Sequence, residues 1–404
     1  FVMKEVPVVL LDIQSDALMR GVEGIRTSLQ QAASKKVLSD AEVEAALARL
    51  HPSSDFKSLQ DADLVIEAVF EDESVKRNVL RQIEDVVRFD CIIASNTSSF
   101  SINELSKSLN RPERFVGIHY FYHAAKNKLV ELVGGEKTNQ NIVKTLECFY
   151  EYCDKYPIVV RDVPGFAINR FFVPWLNEAA RLYEEGHGSV AFIDRVAMEV
   201  FGVGMGPFAL MNATGLPIAM HAARNLAVAF GPSYAPAEIL VNQVAANTSW
   251  DMNAPGRGGD DEAVVRERLL AASLGVAAQM ISEGVADAAS TDLGARAGLR
   301  WRMGPVAMLN RLGDSKRMEV LLLRTSVAQK TGFIEFSQPD SMNALNEEVF
   351  EQLEAVFNKM EADSNIDRIA FMGRGKAFVA GADIKFFVKN LEVGDLERIE
   401  SFAK

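Results

Sequence analysis

At 404 residues the chain exceeds one ordinary domain and should hold two or three. Apolar residues make up 48%, enough for packed cores and too many for a disordered chain. A net charge of −12 argues against general binding to nucleic acid or to anionic membranes, so an anionic ligand would need a local cluster of Lys or Arg.

Cys91, Cys148 and Cys153 show no metal-ligand spacing such as C-x-x-C, so no metal site is expected. An odd cysteine count without a framework points to a reducing, cytoplasmic setting. No apolar run approaches the roughly 20 residues that span a bilayer, and no signal peptide is visible. The chain begins on Phe1, already in helix-like sequence, and stops at Lys404 inside an amphipathic stretch. Both ends read as cut, which makes a longer parent the expectation.

In chain order, residues 6–12 form an apolar run closed by Asp12, the pattern of a buried parallel strand. Helical periodicity follows over 15–35 and 39–50. Leu64–Val69 predicts a second buried strand, 72–88 a helix and Cys91–Ser95 a third strand. Phe115–His119, Lys128–Val133 and Pro157–Val160 continue the series. Alternating strands and helices of this kind predict a doubly wound α/β domain over residues 1–163.

After Pro164 strands are no longer expected, and residues 166–325 carry Ala, Leu, Met and Val at helical spacing. They contain an internal repeat. Glu185-Gly186, Asp194, Met205-Gly206-Pro207, Ala209, Asn212 and Gly215 recur as Glu283-Gly284, Asp292, Met303-Gly304-Pro305, Ala307, Asn310 and Gly313, a constant offset of 98 residues. Two copies of one helical module are predicted, over 164–255 and 256–328, with a loop at Asn253–Asp261. A third α/β region opens at about 329. Gly332–Phe336 and Arg368–Met372 are its strands, 346–361 its amphipathic helix, and Gly381-Ala382-Asp383 a turn before an apolar helix.

Polar residues fall where the first region's strands end. These are Ser98 in Ser95–Ser99, His119 closing Phe115–His119, Glu131 in Leu129–Val133, and Asn169 after Pro164-Gly165. Strand ends are where an α/β sheet presents groups to a ligand. A His beside a carboxylate is a simple device for taking a proton from an alcohol, which could then lose a hydride to a nicotinamide. Bland readings exist for each. Ser98 could cap a helix ahead of Glu104, and Asn169 could be a solvent-facing first-turn residue. Asp12 suits the ribose hydroxyls of NAD and would repel the extra phosphate of NADP, but it could equally cap the next helix. Gly381-Ala382-Asp383 could supply one backbone N–H of an oxyanion hole or be an ordinary turn.

Over roughly residues 1–320 these motifs resemble the (S)-3-hydroxyacyl-CoA dehydrogenase family. The resemblance implies a Rossmann-like NAD domain followed by the duplicated all-α C-terminal domain. Ser98, His119, Glu131 and Asn169 fall on the family's catalytic positions, and Asp12, Glu71 and Lys76 on positions that contact NAD, with Ser98 also beside the cofactor. The family reads His-Phe-Phe-Asn-Pro where this chain has His119-Tyr120-Phe121-Tyr122-His123, so Tyr122 takes the place of a cofactor-contacting Asn. The family's Gly-rich dinucleotide loop does not occur in the sequence, and would fall upstream of Phe1.

Residues 331–404 resemble the start of a crotonase (enoyl-CoA hydratase/isomerase) domain, through Ser341–Leu345 and Lys376–Ile384. There the resemblance implies that the Ala382 amide polarises a thioester carbonyl.

The expectation is therefore NAD-dependent oxidation of (S)-3-hydroxyacyl-CoA thioesters of the β-oxidation type, in a parent that also hydrates enoyl-CoA. Two alternatives stand beside it: a dehydrogenase for another hydroxy acid, and a non-catalytic scaffold or CoA-binding module. Acyl chain length and any homo-oligomeric state are not given by the sequence.

Overall fold

The computed structural model describes residues 1–312, 322–328, 330–384 and 388. The chain forms two compact units, Phe1–Tyr120 with Glu131–Cys153, and Phe121–Val130 with Asp154–Lys404.

The first unit opens with β1 (Val8–Leu11), α1 (Ser15–Ser34), α2 (Asp40–Ala48) and β2 (Leu50–Ser53). β1 and β2 pair in parallel, Val9 opposite His51. A capping box starts α2: the Ser39 side chain accepts the Glu42 N–H while Glu42 returns to the Ser39 N–H. The sequence did not mark β2, because His51 and Pro52 interrupt any apolar pattern; pairing with β1 makes it a strand.

β3 (Leu64–Glu67), α3 (Glu73–Val86), β4 (Ile92–Ser95), the short α4 (Ile102–Ser106), β5 (Phe115–Tyr120), β6 (Leu129–Gly134) and α5 (Gln140–Tyr152) follow. β3, β4, β5 and β6 are sheet neighbours in that order. β3/β4 and β4/β5 are parallel, with Glu67 opposite Ser95 and Ser95 opposite Gly117. These three residues therefore stand in one row, at which β3 and β4 end while β5 runs on through His119 to Tyr120. The strands are apolar because they are covered: Ile93, Ala94, Val116, Ile118, Leu132 and Val133 are all buried.

The second unit begins β7 (Tyr156–Arg161), then α6 (Ile168–Glu184), α7 (Val190–Phe201), α8 (Pro207–Thr214), α9 (Leu216–Phe230) and α10 (Glu238–Ala245). α11 (Glu262–Leu270) continues through a π-helical turn into α12 (Val276–Ser282), and α13 (Ala288–Gly298) and α14 (Pro305–Leu312) complete the helices. The repeat has a structural reason. Asp194 on α7 accepts the Phe208 and Ala209 N–H groups (2.8 and 3.0 Å), and Asp292 on α13 accepts those of Val306 and Ala307 (2.7 and 3.1 Å). Each carboxylate thus caps the helix that follows. The Gly before that helix must lack a side chain: a Cβ would fall 2.3 Å from the Asp194 carboxyl carbon at Gly206, and 2.1 Å from that of Asp292 at Gly304. Gly313, the last repeat position, lies outside the described residues.

β8 (Leu323–Ala328), β9 (Thr331–Phe336), α15 (Glu347–Glu361) and β10 (Arg368–Gly373) end the described elements. The helical reading of 166–325 is corrected at its end, since β8 is already a strand at Leu323. It pairs antiparallel with β9, Leu323 opposite Phe336, and β10 joins β9 in parallel. Their core holds Leu323, Ile334, Phe336, Val349 and Met360. The helix expected beyond Asp383 falls largely outside the described residues.

Candidate functional site

Around the C-terminal ends of β3, β4 and β5 the first unit gathers its polar groups. His119 and Glu131 are both buried, and His119 Nδ1 lies 2.6 Å from Glu131 Oε2. With Glu131 ionised, this short contact places a proton on Nδ1, which leaves Nε2 as the basic nitrogen of a neutral ring. β5 and β6 hold the pair from neighbouring strands, so its geometry is set by the sheet.

Ser98 sits in the loop after β4 and is exposed. Glu71 holds this loop. Its Oε1 accepts the Thr97 hydroxyl (2.6 Å), the Ser98 and Ser99 N–H groups (3.1 and 3.2 Å) and the Ser99 hydroxyl (2.8 Å). Burial alone would raise the Glu71 carboxyl, but the Thr97 and Ser99 hydroxyls and the Lys76 ammonium prevail and hold it below the usual range. The helix-cap role considered for Ser98 belongs to Ser101, which accepts the Glu104 N–H at the start of α4. Asn96 Oδ1 accepts the Tyr120 N–H (3.3 Å) and so links the Ser98 loop to the end of β5.

Lys76 is fully buried, with Nζ 2.9 Å from Glu67 and 3.1 Å from Glu71. The side chain is thus turned into the protein, where it braces the carboxylate that orders the Ser98 loop. Glu67 was not singled out from the sequence, yet it ties β3 to β4 by accepting the Ser95 hydroxyl (2.6 Å). The available signal was a carboxylate inside the otherwise apolar run Leu64–Val69.

Asp12 follows β1, and its Oδ1 accepts the Gln14 N–H (2.8 Å), a local turn that fixes the carboxylate at the strand's C-terminal end. Asn169 and Tyr122 belong to the second unit: Asn169 is half-buried in the first turn of α6, and Tyr122 is 81% exposed. Ala382 is exposed and bridges Leu345 in parallel, in the same unit. Among the described residues no group of three or more His, Cys, Asp or Glu could hold a metal ion, and no helix is long and apolar enough to cross a membrane.

An α/β sheet that is parallel over β3–β5 and carries polar groups toward its C-terminal edge, followed by paired helical modules, is the build of a dehydrogenase with a separate nucleotide domain. Comparison with known proteins narrows this. Residues 1–163 match the 3-hydroxyacyl-CoA dehydrogenase NAD-binding domain, 165–253 the C-terminal domain of the same enzymes, and 331–404 enoyl-CoA hydratase/isomerase. The chain is 34% identical to (S)-3-hydroxybutyryl-CoA dehydrogenase from Ralstonia eutropha, covering 64% of this chain and 92% of that one with a TM-score of 0.60. A 3-hydroxybutyryl-CoA dehydrogenase from Escherichia coli K12 shares the fold at 23% identity, with a TM-score of 0.71 over 77% of this chain and 88% of that one. The chain belongs to the 3-hydroxyacyl-CoA dehydrogenase family. It is also 37% identical, over 227 residues, to the fatty acid oxidation complex subunit alpha of Psychrobacter cryohalolentis. That match covers 56% of this chain and 31% of the relative, so the chain spans about a third of such a protein's length.

Proposed function

We propose that the protein oxidises (S)-3-hydroxyacyl-CoA to 3-ketoacyl-CoA with NAD, residues 1–163 serving the cofactor and 164–328 completing the dehydrogenase. The observation that carries this reading is the buried His119–Glu131 pair, 2.6 Å apart. His119 Nε2 takes the proton of the 3-hydroxyl. Glu131 fixes the ring and stabilises the imidazolium that forms. Ser98 is the proposed donor to the reacting oxygen, and Asn169 falls on the family's remaining catalytic position. A bound NAD would supply the hydride acceptor for C3. Asp12 would hold its ribose hydroxyls, which suits a carboxylate fixed at the end of a parallel strand. Glu71 and Lys76, which fall on NAD-contacting positions of the family, hold the Ser98 loop after β4, and Tyr122 stands at the place of the family's cofactor-contacting Asn.

In the same reading, residues 329–404 begin a hydratase-type region whose Ala382 amide polarises a thioester carbonyl, so that hydration of a trans-2-enoyl-CoA would supply the dehydrogenase's substrate. The test is NADH oxidation with acetoacetyl-CoA by the protein expressed from its complete reading frame and by its His119→Ala variant. The variant should lose about 10²-fold or more in rate. No rate with the parent, on acetoacetyl-CoA or longer 3-ketoacyl-CoA substrates, would sink the proposal.

A further inference from the structure

In the second unit, the turn between β9 and α15 is laced to the segment after β10 at two places. At the first, Asn343 is buried and adopts a left-handed φ of 56°. Its Nδ2 donates to the carbonyls of Arg374 (3.0 Å), Ala377 (2.8 Å) and Phe378 (3.2 Å), and its Oδ1 accepts the Gln338 N–H (2.8 Å). At the second, three backbone bonds join 342–345 to 380–383. They run from Ala380 N–H to Met342 O (3.1 Å), Leu345 N–H to Gly381 O (2.9 Å) and Asp383 N–H to Leu345 O (2.8 Å). The last two use the residues flanking Ala382, so the Ala382 N–H is directed away from Leu345.

The loop between these two places is closed from behind by Gly373, where a Cβ would fall 2.4 Å from Phe378 O and 2.5 Å from Ala377 O. Arg374 is itself buried and donates to Pro157 O (2.5 Å) at the start of β7. The carbonyls that Asn343 gathers therefore belong to a loop anchored at both ends, and that loop leads within two residues to the segment 380–383 that carries Ala382.

We infer that Asn343 is a positioning residue for the Ala382 amide. The inference rests on the hydratase reading of residues 329–404. An oxyanion donor works only when aimed within hydrogen-bond distance of the oxygen that develops charge. Without the carboxamide, three buried or half-buried carbonyls lose their shared donor, and the loop relaxes toward water. The amide would then be displaced although no group that touches substrate has changed.

The experiment uses the protein from its complete reading frame, and two variants that act on the same carbonyls from opposite sides. Asn343→Gly removes the carboxamide and tolerates the left-handed backbone, and Gly373→Ala pushes on the Ala377 and Phe378 carbonyls. Hydration of trans-2-enoyl-CoA is followed alongside binding of 4-dimethylaminocinnamoyl-CoA, whose absorbance moves to the red when its thioester carbonyl is polarised. In both variants kcat for hydration should fall about 10- to 100-fold. KM should change little, the red shift per bound ligand should shrink, and NADH oxidation with acetoacetyl-CoA should persist. Lower kcat with an undiminished red shift, or parental values of both, overturns the role of Asn343 and leaves the hydratase reading standing. No red shift and no hydration in the parent removes that reading, and the inference with it. Should Asn343→Gly not fold, Gly373→Ala alone decides.

Discussion

Replacing Glu131 by Gln is the sharpest perturbation of the proposed proton-transfer pair. The two side chains have nearly the same shape, so the buried space around Glu131 stays filled, and what is lost is the charge facing His119 at 2.6 Å. Before proton transfer the Gln side chain can still accept the Nδ1 hydrogen bond, and the loss is small. When His119 takes the proton, the imidazolium faces an amide in place of a carboxylate. A hydrogen bond to a charged partner contributes about 1.5–3 kcal/mol, and each 1.36 kcal/mol is a factor of ten in rate. The variant should therefore be slower by about 10- to 150-fold. Because the interaction strengthens only as the proton arrives, the loss should fall on kcat, with KM for the acyl-CoA little changed. Gain of NADH absorbance with (S)-3-hydroxybutyryl-CoA and NAD, the direction in which His119 takes up the proton, reads both constants, and a thermal melt checks that the variant is folded. A folded variant with kcat within about twofold of the parent would refute the reasoning, since a carboxylate this close to a charge-gaining imidazole cannot be a bystander to it.

Glu71→Gln should slow the enzyme by about 3- to 10-fold through disorder of the Ser98 loop, the scale of one or two neutral hydrogen bonds, and a variant with unchanged kcat would show that the loop needs no such brace. Gly206→Ala and Gly304→Ala each drive a methyl group into a capping carboxylate, 2.3 and 2.1 Å from its carbon, and should each cost about 1–3 kcal/mol in urea unfolding; an unchanged midpoint would contradict the cap geometry. Burial pushes the Asp292 carboxyl up from 3.8 to about 6, against the opposing pull of Arg296 and the Val306 and Ala307 N–H groups. Between those values the folded chain keeps a proton that the unfolded chain has released, so its contribution to stability is full below pH 3.8 and is lost as pH rises through 6, by about 3 kcal/mol. The difference in unfolding free energy between the parent and Asp292→Asn should fall by that amount across the window, and a flat difference would exclude it.

Most strands were legible as apolar runs, whether fully buried as in Phe115–His119 or half-buried as in Val8–Leu11. Val8–Leu11, Leu64–Glu67 and Phe115–Tyr120 lie within one or two residues of their expected bounds. β2 and β8 escaped because long-range pairing, with β1 and β9, overrides a local pattern that is polar in one case and helix-like in the other. The candidate site divides in the same way. Single polar residues at strand ends can be found by eye, and the fold then brings His119 to Glu131 across 12 positions of sequence. The inward turn of Lys76 could not be found so, because it depends on Glu67 and Glu71 arriving from outside α3.

The repeat shows where sequence likeness stops being physical likeness. Asp194 and Asp292 make the same two backbone contacts, and burial raises both carboxyls. Their surroundings differ, however. Four residues beyond Asp292 comes Arg296, 3.9 Å away, whose guanidinium also grips Asp340 of the third region at 2.6 Å. The residue at the matching place after Asp194 is Met198, which brings no charge. Duplication copied the cap in both modules. Only the second copy acquired an arginine that shares itself between the cap and the following α/β region, so a change at Asp292 should be felt at Asp340 in a way that a change at Asp194 is not. A double-mutant cycle of Asp292→Asn with Asp340→Asn should give a coupling of about 0.5–3 kcal/mol, and the cycle with Asp194→Asn should be additive. Additivity in both cycles would mean that Arg296 does not join the two carboxylates.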